Sequence, residues 1–282
     1  MVSHGRQHHN RLSVVSVPWS SVLNAPAGSP QNRHSGPPPA GPSIYVGGAL
    51  NDRSSGAPLA GLLASRFTVI SYDRRGRGAS GDTQPYAVER EVEDLEAVIA
   101  AAGGPAFVYG MSSGGVLALE AAAQGLAITK LAIYEPPFMA DDSQRQGARE
   151  YATKLTERLS ADRRGDALEL FMTRTGVPAE MIGQMRGAPM WPALEALAPS
   201  LAHDAAVMGD GTRGGSVPTD RLADLAVPTL VLDGGASPAW MREVAQRVAN
   251  TLPAGQHRCL EGQTHDVAPQ ALAPVLEEFF AG

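Results

Sequence analysis

The chain has little that would tie it to a disulfide scaffold, a metal centre or a membrane. Its single cysteine, Cys259, excludes a disulfide framework and any multi-cysteine metal site. No stretch reaches the roughly 18 consecutive apolar residues that a membrane-crossing helix needs. Basic charge is short: 23 Lys and Arg against 29 Asp and Glu leave a net charge of −6, which argues against a nucleic-acid partner. Lysine is nearly missing, with only Lys130 and Lys154, a bias we read as genome composition. There is no HExxH, no CxxC and no G-x-G-x-x-G in a dinucleotide-binding setting, so no metal and no nucleotide cofactor is expected. What is present is 282 residues at 43% hydrophobic content. That suffices for a sizeable core in one large domain or two small ones. A reduced cysteine and an acidic balance fit a cytoplasmic location.

The chain divides unevenly. Residues 1–42 form an irregular N-terminal segment that holds His4, His8, His9 and His34 and a Gly/Pro/Ser-rich stretch over 25–42. Within it, 12–19 is β-branched and bounded by turn residues, as a strand would be. The same segment makes a poor signal peptide, because serines interrupt a short apolar patch. Its histidines lack metal-ligand spacing, so a solvated segment is the simpler reading.

From residue 43 the pattern turns regular. Short β-branched runs at 44–46, 66–72, 106–109, 131–134, 228–233 and 257–260 read as strands. Runs with apolar residues at helical spacing, 89–102, 115–123, 240–252 and 269–280, read as helices between and after them. Strands alternating with helices predict an α/β fold with a mostly parallel sheet covered on both faces. The middle, 138–221, lacks a convincing strand and reads as helices over 149–159, 166–173, 178–185 and 191–201. One core, 43–137 and 222–282, thus carries a helical lid inserted at 138–221.

The chemistry concentrates in Gly110-Met111-Ser112-Ser113-Gly114. It matches G-x-S-x-G with a strand before it and a helix after it, the setting of a nucleophile elbow that lifts a serine above the sheet. The following helix N-terminus places backbone N–H groups beside Ser112. A serine hydroxyl needs a base, and histidine is the natural one near neutral pH. His265, in Gly262-Gln263-Thr264-His265, lies between the last short strand and the last helix. His203, inside the helical middle, and His257, ahead of a strand, read as packing or surface residues.

With these motifs the chain resembles the α/β-hydrolase superfamily over 43–280. Asp73-Arg74-Arg75-Gly76-Arg77-Gly78-Ala79-Ser80 is similar to the D-x-R-G-x-G-x-S turn of many members, a structural turn in which Asp73 and Arg74 would anchor loops. Gly47-Gly48-Ala49 stands where members carry a His-Gly-x segment, with Gly47 in place of His. The resemblance implies an oxyanion hole built by the N–H groups of Ala49 and Ser113 and makes His265 the catalytic base. It leaves the acid open. Members commonly carry P-x-L-x-x-x-G-x-x-D after the penultimate strand. Here Pro228, Leu230 and Gly234 fit, but Ser237 holds the aspartate position and cannot supply the negative charge an imidazolium needs. Glu135, in Tyr134-Glu135-Pro136-Pro137, and Asp233, at the end of the 228–233 strand, are the two substitutes. Pancreatic-type lipases and fungal zearalenone lactonases place the acid after the earlier strand, as Glu135 would be.

A serine at the elbow argues against the dehalogenase and epoxide-hydrolase branches, which use aspartate there. The expected activity is hydrolysis of a carboxylic ester or lactone through an acyl-enzyme, with a small-molecule substrate and no nucleic-acid or membrane partner. A cofactor-free haloperoxidase-like, C–C bond hydrolase or silent member is the alternative. In the lid, Phe138, Met172, Met181, Met185, Met190, Trp191 and Met208 line an apolar pocket or form its packing, and Arg174 and Arg186 are expected in solvent.

Overall fold

Alternation of apolar residues on both sides of each strand dictates a sheet buried on both faces, and the computed structural model of the protein has one. It describes residues 22–25, 41–139, 141–209 and 217–282. Seven strands run in the order β1-β3-β2-β4-β5-β6-β7: β1 (Val22–Ala25), β2 (Pro42–Val46), β3 (Thr68–Tyr72), β4 (Ala106–Met111), β5 (Ile128–Tyr134), β6 (Thr229–Gly234) and β7 (Gly255–Leu260). All neighbouring pairs are parallel except β1 on β3. Strand β1 is a four-residue edge inside the segment read as irregular. The expected strand at 12–19 and the four N-terminal histidines lie outside the described residues.

Even and odd positions feed opposite layers. Ile44, Val46, Val108, Leu131, Ile133 and Val231 meet α2 (Val88–Ala101), α3 (Ser113–Ala123) and α10 (Ala239–Thr251) on one face. Tyr45, Tyr109, Ala132, Tyr134, Leu230 and Leu232 meet α1 (Ala57–Leu63) and α11 (Pro269–Ala281) on the other. The order reverses direction between β2 and β4. In open α/β sheets such a switch point opens a crevice at the carboxyl ends of the strands.

Between β5 and β6 the chain leaves the sheet for α4 (Asp142–Ser160), α5 (Arg164–Arg174), α6 (Ala179–Arg186), α7 (Trp191–Leu197), α8 (Leu201–Val207) and α9 (Thr219–Leu222). The run expected as one helix over 191–201 is broken by a 3-10 turn at Ala198–Ser200, which carries Pro199. Small apolar clusters hold the insertion together: Tyr151, Leu155, Ala167 and Leu201 in one, Leu168, Met172, Ile182 and Trp191 in another. Met181 and Met190 are half exposed. Arg174 and Arg186 are exposed, as expected, with Arg174 over the Tyr151 ring and Arg186 paired with Asp166 and Glu169 over Trp191. No helix among the described residues is long and apolar enough to cross a membrane.

Candidate active site

The elbow is built by close approach. A Cβ on Gly114 would lie 2.2 Å from the Val46 carbonyl oxygen, and one on Gly110 2.7 Å from the Gly114 oxygen. Any other residue at either place would push α3 off β2 and β4. The left-handed backbone falls on the serine itself, with φ 54° and ψ −125° at Ser112. Such a conformation costs a non-glycine residue about 1–3 kcal/mol and persists only where its surroundings enforce it. Here the Ser112 N–H is pinned to the Tyr134 carbonyl oxygen at 2.9 Å, and the Ser112 oxygen accepts from Gly115 and Val116 in the first turn of α3.

Beside the elbow, one strand over, Glu135 continues β5. Its own φ is 43°, and its N–H donates to the Leu232 oxygen at 2.9 Å. The turned backbone sends the carboxylate along the strand ends. Oε1 accepts from the Gly234 N–H at 2.9 Å, and Oε2 meets Nδ1 of His265 at 2.7 Å. Glu135 is 1% exposed. Burial alone would lift its pKa, but the hydrogen bonds from His265 and the Gly234 N–H hold it below the ordinary value. Ser237 occupies the vacated aspartate position next to this carboxylate. Its N–H donates to the Gly234 oxygen at 3.0 Å, while its buried Oγ has no well-formed hydrogen bond. The His265 loop is fixed by the Tyr134 hydroxyl, which donates to the Thr264 oxygen at 2.6 Å, and by the Ala236 N–H, which donates to the Gln263 oxygen.

Asp233, the other acid weighed from the sequence, is engaged elsewhere. Its Oδ1 lies 2.5 Å from His257 Nε2, and its Oδ2 accepts from Arg242 at 3.4 Å. Asp233 pairs with Cys259 across β6 and β7, and burial together with that carboxylate pushes the Cys259 thiol up, away from nucleophile chemistry. His265 therefore sits with Glu135 and not with Asp233. His203 is a packing residue, stacked on Tyr86 at 4.1 Å between ring centroids.

On the other side of the elbow, Gly48 ends the β2 loop. A Cβ there would touch Ser112 Cβ at 3.1 Å, so the loop that continues into Ala49 approaches the serine at Gly48. The Gly48 N–H donates to Asn51 Oδ1 at 3.0 Å, and Leu50 holds a φ of 57°. Among the described residues only Leu50, Ser112, Glu135 and Asp162 are non-glycine with positive φ. Three of these four ring the carboxyl edge of the sheet, where strain marks a built site rather than a loop accident. The turn after β3 does anchor loops: Asp73 accepts from the Arg53 N–H at 2.8 Å and the Ala79 N–H at 2.9 Å. A cleft of about 360 Å³ between α3 and the insertion is lined by Phe138, Met208, Val116 and Leu222; neither Ser112 nor His265 lines it.

Sequence reasoning named Arg74 as a loop anchor but missed the group it belongs to. Arg74, Arg77 and Asp204 are buried beneath the elbow and the β2 loop. The two arginines belong to the recognised turn but occupy its variable positions. Asp204 stands 91 residues from its partner Ser113, and no local pattern links them.

A serine on a strained strand-to-helix turn, with an imidazole–carboxylate pair at the ends of strands to one side and a tight glycine loop on the other, is the layout of the α/β-hydrolase class. A model of the alpha/beta hydrolase family matches residues 35–278, and the chain belongs to that family. The solved structure of an alpha/beta hydrolase from Sphaerobacter thermophilus DSM 20745 is 53% identical, with a TM-score of 0.78 over 92% of this chain and 95% of that one. A thermophilic esterase from Thermogutta terrifontis shares the fold at 20% identity, with a TM-score of 0.62 over 92% of both chains. The uncharacterized hydrolase YraK of Bacillus subtilis is 35% identical over 81 residues, 27% of this chain. That alignment spans only about a third of YraK, 30% of its length.

Proposed function

We propose that the protein is a serine hydrolase that cleaves a carboxylic ester or lactone through an acyl-enzyme. The observation that carries this reading is the 2.7 Å contact between His265 Nδ1 and Glu135 Oε2, set one strand from a serine held at φ 54°. In this mechanism the carboxylate keeps the proton on Nδ1. That leaves Nε2 as the acceptor for the Ser112 hydroxyl proton. Ser112 Oγ attacks the carbonyl carbon. The resulting oxyanion is met by the N–H groups of Ala49 and Ser113, each worth about 2.7–4 kcal/mol in such a role. The imidazolium, stabilised by Glu135, returns the proton to the departing alkoxide. Water then repeats the sequence on the acyl-Ser112. For a lactone the leaving oxygen stays attached to the acyl group, so ring opening precedes release. The helical insertion, standing over the carboxyl edge of the sheet, acts as the lid that selects the acyl or alcohol group.

The test is labelling with a fluorophosphonate, which reacts only with an activated serine. Labelling is expected in the native protein and should vanish, together with turnover of short p-nitrophenyl esters, in Ser112→Ala. A label that survives Ser112→Ala removes Ser112 from its role. Failure with the probe, esters and lactones together would favour a non-hydrolytic use of the fold.

A further inference from the structure

The insertion reaches the sheet edge through one carboxylate. Asp204, on α8, is 1% exposed, and its Oδ1 accepts from Arg74 Nη1 at 3.0 Å, Arg77 Nη2 at 2.6 Å and the Ser113 hydroxyl at 2.7 Å. Each of these donors belongs to, or holds, the oxyanion hole of the proposed mechanism. Ser113 carries one of the two N–H groups assigned to it. Arg77 Nη1 donates to the Gly48 carbonyl oxygen at 2.5 Å, and Arg74 Nη1 to the Gly47 oxygen at 3.0 Å. The Gly48 C=O and the Ala49 N–H are two ends of one planar trans peptide. Whatever fixes the first fixes the direction of the second, so Arg77 aims the Ala49 N–H.

The carboxylate also balances charge. Arg74 donates two hydrogen bonds to the Glu91 carboxylate, at 2.8 and 2.9 Å, whereas the ion-pair partner of Arg77 among the described residues is Asp204. Removing the negative charge of Asp204 leaves a buried guanidinium beside the Gly48 peptide without neutralisation, a costly state. Apolar contact runs in parallel. Ala49 and Leu50 pack against the insertion clusters that contain Tyr151, Leu168 and Trp191. The network is not optimised for stability alone, since Asp204 Oδ2 and Arg77 Nε are buried without a hydrogen-bond partner among the described residues.

We propose that Asp204 is a positioning residue through which the seated insertion sets the oxyanion hole: it locks Arg77 on the Gly48 carbonyl and Ser113 on the elbow, and so aims both N–H donors. The inference rests on the hydrolase reading above. It makes the insertion a working part of the catalytic floor and not only a cover that selects substrate.

The experiment compares Asp204→Asn with the native protein on p-nitrophenyl acetate and on an alkyl boronic acid. The boronate adduct of a serine places an anionic oxygen where the hole must be. A misaimed donor should lower kcat by about 10- to 100-fold and weaken boronate binding by a similar factor, while KM moves less than about threefold. Backbone amide shifts of Ala49 and Ser113 in ¹⁵N spectra should move in the same variant. Arg77→Lys and Ser113→Ala, which keep the insertion's carboxylate, should give the same kcat-over-KM pattern and serve if Asp204→Asn does not fold. Unchanged kcat, boronate affinity and amide shifts in a folded variant would overturn the inference. A native protein that neither labels with fluorophosphonate nor binds boronate would instead sink the hydrolase reading, and the amide shifts would still decide whether Asp204 sets the two peptides.

Discussion

Replacing Glu135 by glutamine keeps the shape of the side chain and changes what it can donate and accept. The carboxylate accepts twice, from the Gly234 N–H at 2.9 Å and from His265 Nδ1 at 2.7 Å. An amide has one oxygen for these two places. With its oxygen on His265, its NH₂ would face the Gly234 N–H and leave a buried backbone donor unpaired, at a cost of about 1–3 kcal/mol. With its oxygen on Gly234, its NH₂ donates to Nδ1, and the imidazole proton shifts to Nε2. The second arrangement wins, because a neutral imidazole exchanges tautomers at less cost than burying an orphan donor. It also disarms the base, since a protonated Nε2 cannot take the Ser112 proton.

The expected loss in kcat is about 10⁴-fold, the size seen when a triad acid becomes an amide, or about 5 kcal/mol of barrier. KM should hardly change, because the missing charge matters only once the imidazolium forms. The assay is p-nitrophenyl ester hydrolysis at saturating substrate, with a thermal melt to establish that the variant is folded. Asp233→Asn is the internal control. Its carboxylate serves His257 and Arg242, so kcat should fall less than about threefold. A loss below tenfold in Glu135→Gln, or a larger loss in Asp233→Asn, would refute the tautomer argument and the choice of acid together.

Three further outcomes follow from the same geometry. The double variant Glu135→Ala with Ser237→Asp should recover at least about 100-fold in kcat over Glu135→Ala alone, since residue 237 adjoins the Glu135 carboxylate and charge is what was lost; no recovery would mean that position 237 cannot reach His265. Gly114→Ala should cost about 1–3 kcal/mol in urea unfolding, the usual range for overpacking, and abolish probe labelling, because its Cβ would meet the Val46 oxygen at 2.2 Å. For Glu91, burial raises the carboxyl pKa but Arg74 more than reverses it, from 4.5 down to about 2. A lowered folded pKa stabilises above the unfolded value and is lost as pH falls through the folded one. Glu91 therefore contributes about 3 kcal/mol of acid-sensitive stability, lost progressively between about pH 5 and pH 2. Glu91→Gln should flatten the decline in unfolding free energy over that range, and an unaltered slope would contradict it.

The strands and the elbow were legible because their determinants are local. Period-two runs such as 131–134 lie in both cores at once, and Ser112 announces itself by the glycines that α3 and β2 require around it. The helices of the insertion were legible in outline, yet α1 and α8 were not separated out. Helix α1 has only seven residues, three of them buried, too short a pattern to stand above chance. Strand β1 escaped for a different reason: a four-residue edge in a Gly/Pro/Ser-rich stretch is fixed by its antiparallel pairing with β3 and not by its own composition.

The acid shows where sequence reading stops being local. Glu135 and Asp233 both end strands at the same edge, and each precedes a loop. What separates them is the partner across the sheet. Asp233 meets His257 and Cys259 of β7 side by side, whereas the positive φ of Glu135 swings its carboxylate past Gly234 toward the His265 loop. Ser237 completes the argument. A carboxylate at 237 beside Glu135 would put two negative charges against one imidazole and raise the pKa of one of them, so the site has room for one acid, and a small hydroxyl fills the other place. On the proposed mechanism, the substitution that looked like a defect in the motif is the condition that lets Glu135 serve as the acid.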